Sequence, residues 1–465
     1  LWSCETDVVN PDEVYPEPYM DIDSGDTDFS TFVSLGASIT AGTTDGSLFL
    51  AGQMNSYPNI MAGVMAMADG GEFTQPYTND NVGGLTLFGN VIAGPRLYFD
   101  GAGPATVNGT PSTEVSNIMP GPYNNLGVPG MNAIHALAPG YGNLEGLAAG
   151  LANPYFVRMA SSPGTSILQD ALTQMPTFTS VWVGNNDILG FATSGGVTPI
   201  TDSSEFDFAI SSIVGALVQA GADGIIGNVP DVTSIAYLNT VPYNAVPLDQ
   251  ATADMLNGAF AAYNGGLQVV QMLGVISAQE AAARTIVFSA GQNAVTIEDS
   301  DLTDLTVLGL PNLRMATAED KIVLPAASVI GTTVGGNPMQ INGVSVPLAD
   351  NLVLTSNEVL EAQVAIASYN GIISALASQY GWAHFDANAA LNEIATTGLM
   401  MDDFTVTGDL VFGGLFGLDG VHPTARGNAI IAKLMMTEID ATYGSNLSDA
   451  GLHIGDYPTN YPNGL

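Results

Sequence analysis

Short apolar runs that stop at glycine, each followed by a stretch of helical spacing, constrain this chain more than any other feature. Thr31-Phe32-Val33-Ser34-Leu35 runs into Gly36, and Ser180-Val181-Trp182-Val183 into Gly184. Gly224-Ile225-Ile226-Gly227-Asn228-Val229 and Trp382-Ala383-His384-Phe385 read the same way. Runs this short and continuously apolar suit strands buried on both faces. Helical patterns cover 57–70, 249–283 (rich in Ala, Leu, Met and Gln) and Thr424–Tyr443. Another begins at Thr355-Ser356-Asn357-Glu358, a Thr-x-x-Glu capping box, and carries Leu360, Val364, Ala367, Ile372 and Leu376 toward Tyr380. Strands alternating with helices argue an α/β fold with a mostly parallel sheet.

The chain has 465 residues. At roughly 150 residues per domain that is about three domains' worth, or one domain with large insertions. The second arrangement fits the texture. Residues 1–30 are acidic and polar with Pro11, Pro16 and Pro18, and read as a tether or arm. Residues 31–465 form the main domain, interrupted near 70–123, where Gly, Pro, Asn and Thr suggest a long loop excursion, and near 240–354. Within the second interruption, 285–354 has Val, Ile and Thr runs broken by Gly and Pro, and is expected to be a β-rich subdomain.

Charge narrows the function classes. Lys and Arg total 7 against 45 Asp and Glu, a net charge of −38. Such a chain has no basic footprint for nucleic acid, and anionic membrane surfaces repel it. Contact with a membrane is expected only through a lipid anchor. The start, Leu1-Trp2-Ser3-Cys4, resembles the end of a bacterial lipoprotein signal, with Cys4 as the acylated residue. Acylation would also account for a single unpaired cysteine.

Four segments carry candidate chemistry. Ser38 sits in Gly36-Ala37-Ser38-Ile39-Thr40-Ala41-Gly42, directly after a strand, where open α/β sheets place ligands. Its N–H would open a helix and face a developing anion. In Asp419-Gly420-Val421-His422-Pro423 a carboxylate three residues ahead of a histidine can reach Nδ1, leaving Nε2 to take a hydroxyl proton. Asn186, in Gly184-Asn185-Asn186-Asp187, can donate its amide to an oxyanion. Asn125-Leu126-Gly127-Val128-Pro129-Gly130 offers a glycine N–H free of side-chain obstruction. Each alone is bland: a helix cap, a surface histidine, two turns. Together they supply a nucleophile, an oriented base and oxyanion donors, the requirements of acyl transfer. His135, close after Gly130, is a candidate pocket neighbour.

The ordered set GASITAG, NLGVPG, GNND and DGVHP resembles the four sequence blocks of the SGNH (GDSL-type) hydrolases, in particular the large envelope-lipoprotein branch of Gram-negative bacteria. The blocks span residues 36–423. The resemblance implies a flavodoxin-like three-layer α/β/α sandwich and an esterase or lipase that needs no metal or organic cofactor. It makes Ser38 the nucleophile, His422 the base and Asp419 its orienting acid, with Ser38, Gly130 and Asn186 forming the oxyanion hole. Ala37 departs from the family's usual Asp before the serine. The expected substrate is a small-molecule or lipid ester at the cell envelope. Two other readings stand beside it: a carbohydrate O-deacetylase, and a non-catalytic lipid- or ligand-binding lipoprotein that serves an outer-membrane barrel protein.

Overall fold

A computed structural model of the protein describes residues 21–465. Cys4 and the tether up to residue 20 lie outside the described residues. Five strands form the central sheet: β1 (Phe32–Gly36), β2 (Asn125–Gly127), β3 (Phe178–Trp182), β4 (Asp223–Gly227) and β5 (Ala383–Phe385). All neighbours pair in parallel, in the order 2-1-3-4-5. That is the flavodoxin-like doubly wound order, which reverses direction at β1 and β3. β2, whose sequence reads equally as a turn, is an edge strand of the sheet.

Register explains the layering. Phe32 pairs with Phe178, Ser34 with Ser180 and Gly36 with Trp182, so these residues share one face. Every residue of β1 and β3 is buried, which requires cover on both faces. Two helices that pack together, Tyr57–Met65 and the late helix Ala425–Tyr443, close the first face. Tyr57 meets Trp182 edge-on at 5.6 Å and Tyr443 meets Phe178 at 5.7 Å. Val33, Leu35 and Val181 point the other way. The helices Ser203–Gln219 and Ser356–Tyr380 pack together on that side, with Phe206 stacked on Tyr369 at 4.1 Å. 

Helix Ser356–Tyr380 starts at the capping box: the Thr355 N–H donates to Glu358 Oε2 at 2.7 Å, and Thr355 Oγ1 accepts from the Glu358 N–H. Its buried stripe is Ala362, Ile366, Tyr369, Ile373 and Leu376. This corrects the sequence reading, because Leu360 and Val364 face outward. The helix is apolar on several sides, so periodicity alone does not select the face.

The insertions also differ from expectation. Residues 70–123 include two short hairpins, Leu85–Leu87 with Asn90–Ala93 and Leu97–Phe99 with Pro104–Thr106. The helical stretch 249–283 is broken into Gln250–Met272 and Ala278–Arg284, with Gly274 at φ +72° between them. The strands of segment 285–354 are two or three residues long and form separate pairs: Thr296–Glu298 with Leu313–Met315, Lys321–Ile322 with Val353–Leu354, and Gly291–Asn293 with Val246–Leu248 from outside the segment. Its Gly and Pro interruptions cut each ladder before a continuous sheet can form. Residues 21–30, the end of the expected arm, pack on the domain: Ile22 and Phe29 are buried, and Thr27 Oγ1 donates to Asp223 Oδ2 at 2.8 Å.

The short helix Ser38–Ala41 lies hard against the strand ends. A Cβ on Gly127 would stand 2.2 Å from the Ala41 nitrogen and 2.7 Å from the Thr40 carbonyl carbon, both backbone atoms. Gly127→Ala should therefore destabilise the fold by on the order of 1–3 kcal/mol. A lowered urea midpoint at unchanged m-value is the expected readout. An unchanged midpoint would show that this helix does not sit so close.

Candidate active site

The sheet order opens a crevice where the chain reverses direction, at the carboxyl ends of β1 and β3. Ser38 lies two residues after β1 and Asn186 four residues after β3. Ser38 is the first residue of its helix, and Ala37 is the cap, without a side-chain hydrogen bond. Neighbours brace the turn instead. Asn125 Nδ2 donates to the Thr40 carbonyl at 2.9 Å, and Thr40 Oγ1 pairs with the Tyr57 hydroxyl at 3.0 Å. The Tyr57 N–H in turn donates to Asn428 Oδ1 at 3.1 Å.

His422 reaches this turn from 384 residues away, with Nε2 at 2.8 Å from Ser38 Oγ. Its Nδ1 stands 2.8 Å from Asp419 Oδ2. A carboxylate only accepts, so Nδ1 carries the proton and Nε2 is the free acceptor for the serine hydroxyl. Asp419 Oδ1 accepts the N–H groups of Val421 and His422, each at 2.9 Å. Oδ2 also accepts the Gly46 N–H at 2.6 Å. Burial alone would raise the Asp419 carboxyl. The His422 charge and these hydrogen bonds outweigh burial and hold it below the usual carboxylate range.

The Gly46 donor belongs to a feature the sequence reading passed over. Thr44-Asp45-Gly46-Ser47 is a two-residue hairpin turn, with Thr44 and Ser47 exchanging backbone hydrogen bonds. Asp45 has φ +51° and Gly46 φ +78°, both on the left-handed side, which is the type I′ geometry. Asp-Gly is a strong sequence signal for this turn; its docking against Asp419 is tertiary and carries no local signal. Asp45 Oδ1 accepts the Leu418 N–H at 2.9 Å, and the Asp45 carbonyl accepts the Leu97 N–H at 2.8 Å. The turn thus joins the 417–422 loop to the first insertion. Next to Leu97, the fully buried Arg96 donates to the carbonyls of Asn81, Tyr461 and Pro462.

The remaining candidates form a second linked group. Gly130 has φ +80°, a conformation that favours glycine, and a Cβ there would meet nothing within 4 Å. Asn186 Nδ2 donates to the carbonyl of Met131 at 2.9 Å, which ties the amide to the Gly130 turn. Asp187 Oδ2 accepts the Ala133 N–H at 2.9 Å. His135 Nδ1 accepts the Asn132 N–H at 3.0 Å and its ring stacks on Tyr141 at 4.7 Å. Among the described residues no group of three His, Cys, Asp or Glu side chains is arranged to hold a metal ion.

No protein-family model matches the chain, and no curated protein matches it. Among solved structures it is similar to a mutant acetyl-xylooligosaccharide esterase from Geobacillus Stearmophilus, at 11% identity and a TM-score of 0.32, over 90% of this chain and 96% of that one. At so low a score the reading of the site rests on its own geometry.

Asp45 yields a pH-dependent stability. Burial pushes its carboxyl up to about 6 from 3.8; the Leu418 N–H lowers it, the Asp419 charge raises it, and Arg96 and His422 pull it down. A folded value above the unfolded one favours the fold while the group is protonated. That contribution is complete below 3.8 and is lost as the pH rises through about 6. Asn at position 45 preserves both the turn preference and an acceptor for Leu418. Asp45→Asn should match wild type near pH 4 and gain on it by up to ~3 kcal/mol at pH 8. Denaturant melts at the two pH values check this, and a pH-independent difference would contradict it.

Proposed function

We propose that the protein is a serine hydrolase of carboxylic esters, an esterase or lipase of SGNH type. The observation that carries this reading is the continuous relay Ser38 Oγ–His422 Nε2 and His422 Nδ1–Asp419, each link at 2.8 Å. Ser38 Oγ attacks the ester carbonyl carbon while His422 Nε2 takes its proton. Asp419 fixes the tautomer and stabilises the imidazolium that forms. The carbonyl oxygen gains the negative charge and rests on the N–H groups of Ser38 and Gly130 and the amide of Asn186. The tetrahedral intermediate collapses to an acyl-Ser38 ester as His422 returns the proton to the departing alcohol. Water, activated by the same histidine, then releases the acid and regenerates Ser38.

We place the enzyme at a bacterial cell envelope, held by an acyl chain on Cys4. The basis is the sequence around Cys4 together with the scarcity of cations, which leaves no electrostatic route to an anionic surface.

A fluorophosphonate probe should label wild-type protein at Ser38 and leave Ser38→Ala unlabelled. On a chromogenic short-chain ester, Ser38→Ala should lose at least ~10³-fold in kcat. Asp419→Asn, which favours the wrong imidazole tautomer, should lose about 10³–10⁴-fold. Full activity in Ser38→Ala would reject the proposal.

A further inference from the structure

The loop that carries Gly130 is gripped at three consecutive residues by the segment that carries Asn186. The Met131 carbonyl accepts Asn186 Nδ2 at 2.9 Å, Asn132 Nδ2 donates to Thr201 Oγ1 at 3.3 Å, and the Ala133 N–H donates to Asp187 Oδ2 at 2.9 Å. On the other side of the glycine, Asn153 Nδ2 donates to the Pro129 carbonyl at 2.8 Å. Met131 and Ala133 are buried, whereas Gly130 is exposed. An exposed glycine without a side chain to pack has little of its own to hold it, so its position is inherited from the residues around it. Asp187 follows Asn186 in the first turn of helix Asn186–Thr193 and is 2% exposed. Its own carbonyl accepts the Thr201 N–H at 3.0 Å, and the Thr201 carbonyl accepts the Tyr369 hydroxyl. The grip is therefore anchored in turn to helix Ser356–Tyr380.

We infer that Asp187 is a positioning residue: by accepting the Ala133 N–H it fixes the spacing between two oxyanion donors that come from different segments, the Gly130 N–H and the Asn186 amide. The inference rests on the hydrolase reading of the same site. The Asn186 amide has two N–H bonds; one holds the Met131 carbonyl and the other is left for the anion. A single bond to Met131 would let the loop pivot about that point. The second bond, two residues further on, removes the rotation. Without it the buried Ala133 N–H has no partner, and the loop must shift to find one. Burial raises the Asp187 carboxyl above its ordinary value; the Ala133 N–H and the Thr201 hydroxyl lower it, and the Glu205 charge raises it. The grip needs an acceptor oxygen rather than a charge, so an amide at position 187 suffices.

The test compares kinetics on p-nitrophenyl acetate for wild type, Asp187→Ala, Asp187→Asn, Asn186→Ala and the double variant Asn186→Ala/Asp187→Ala, with folding checked by near-UV circular dichroism. Asp187→Ala should lower kcat about 30-fold with KM within about twofold, because a displaced donor fails only where charge develops and a misplacement of ~1 Å costs on the order of 10²-fold. Asp187→Asn, which keeps an acceptor, should recover kcat to within about threefold of wild type. In the Asn186→Ala background the hole has already lost a donor, so adding Asp187→Ala should cost at most about threefold. Asp187→Ser, too short to reach Ala133, replaces Asp187→Ala in every comparison if the alanine variant does not fold. Wild-type kcat in the folded Ala or Ser variant, a loss taken in KM, no recovery in Asp187→Asn, an equal loss in both backgrounds, or failure of both the Ala and Ser variants to fold would overturn the positioning role and leave the hydrolase standing. A wild type inert toward the ester and unlabelled by fluorophosphonate would overturn both.

Discussion

One carboxylate holds the site together. Asp419 accepts four hydrogen bonds: two from the backbone of its own loop, one from the His422 ring and one from Gly46, 373 residues earlier. Two of the four fold the loop on itself, so the spacing from aspartate to histidine is set locally. A third orients the His422 ring within the same loop, and the fourth, from Gly46, reaches outward and ties that loop to the turn after the Ser38 helix. A buried carboxylate without those partners would be costly. With them it is ionised, rigid and oriented, and the imidazole inherits that rigidity.

The strand order explains why the segments meet. In a 2-1-3-4-5 sheet, connections leave β1 and β3 in opposite directions, and the space above the divergence stays open. The Ser38 turn and the Asn186 turn flank that space because they end the two strands that diverge. Two interfaces then seat the serine. Asn125 holds the Thr40 carbonyl from the β2 side, and the buried hydroxyls of Ser34, Ser180 and Tyr57 lie beneath it. With Ala37 supplying no cap, these contacts take over the support of the turn.

Much of this was legible in the sequence, and the exceptions share a cause. The strands β1, β3, β4 and β5 announce themselves as apolar runs ending in turns, and helix Ser356–Tyr380 announces its start through Thr355 and Glu358. β2 does not, because three residues including two that favour turns carry too little periodicity to separate strand from loop. The packing face of helix Ser356–Tyr380 is not legible, because the exposed Leu360 and Val364 are as apolar as the residues that pack inward. Segment 285–354 has strand-like composition, yet its runs are too short to build more than isolated pairs. At the site, Ser38, Asp419 and His422 stand out only as a set, since each segment alone reads as a helix cap, a turn or a surface histidine. The Asp45-Gly46 turn was visible as a turn, but what it grips depends on a loop nearly four hundred residues distant.

That distance bears on how the protein comes into being. Ser38 emerges from the ribosome early, while His422, and the Tyr461 and Pro462 carbonyls that Arg96 grips, emerge late. At 5–20 residues per second, roughly 20–80 s separate the serine from its histidine during synthesis. Throughout that interval the Ser38 hydroxyl has no imidazole beside it. The contact between the two side chains forms only once residue 422 has left the ribosome, so the order of synthesis sets the order in which the site is assembled.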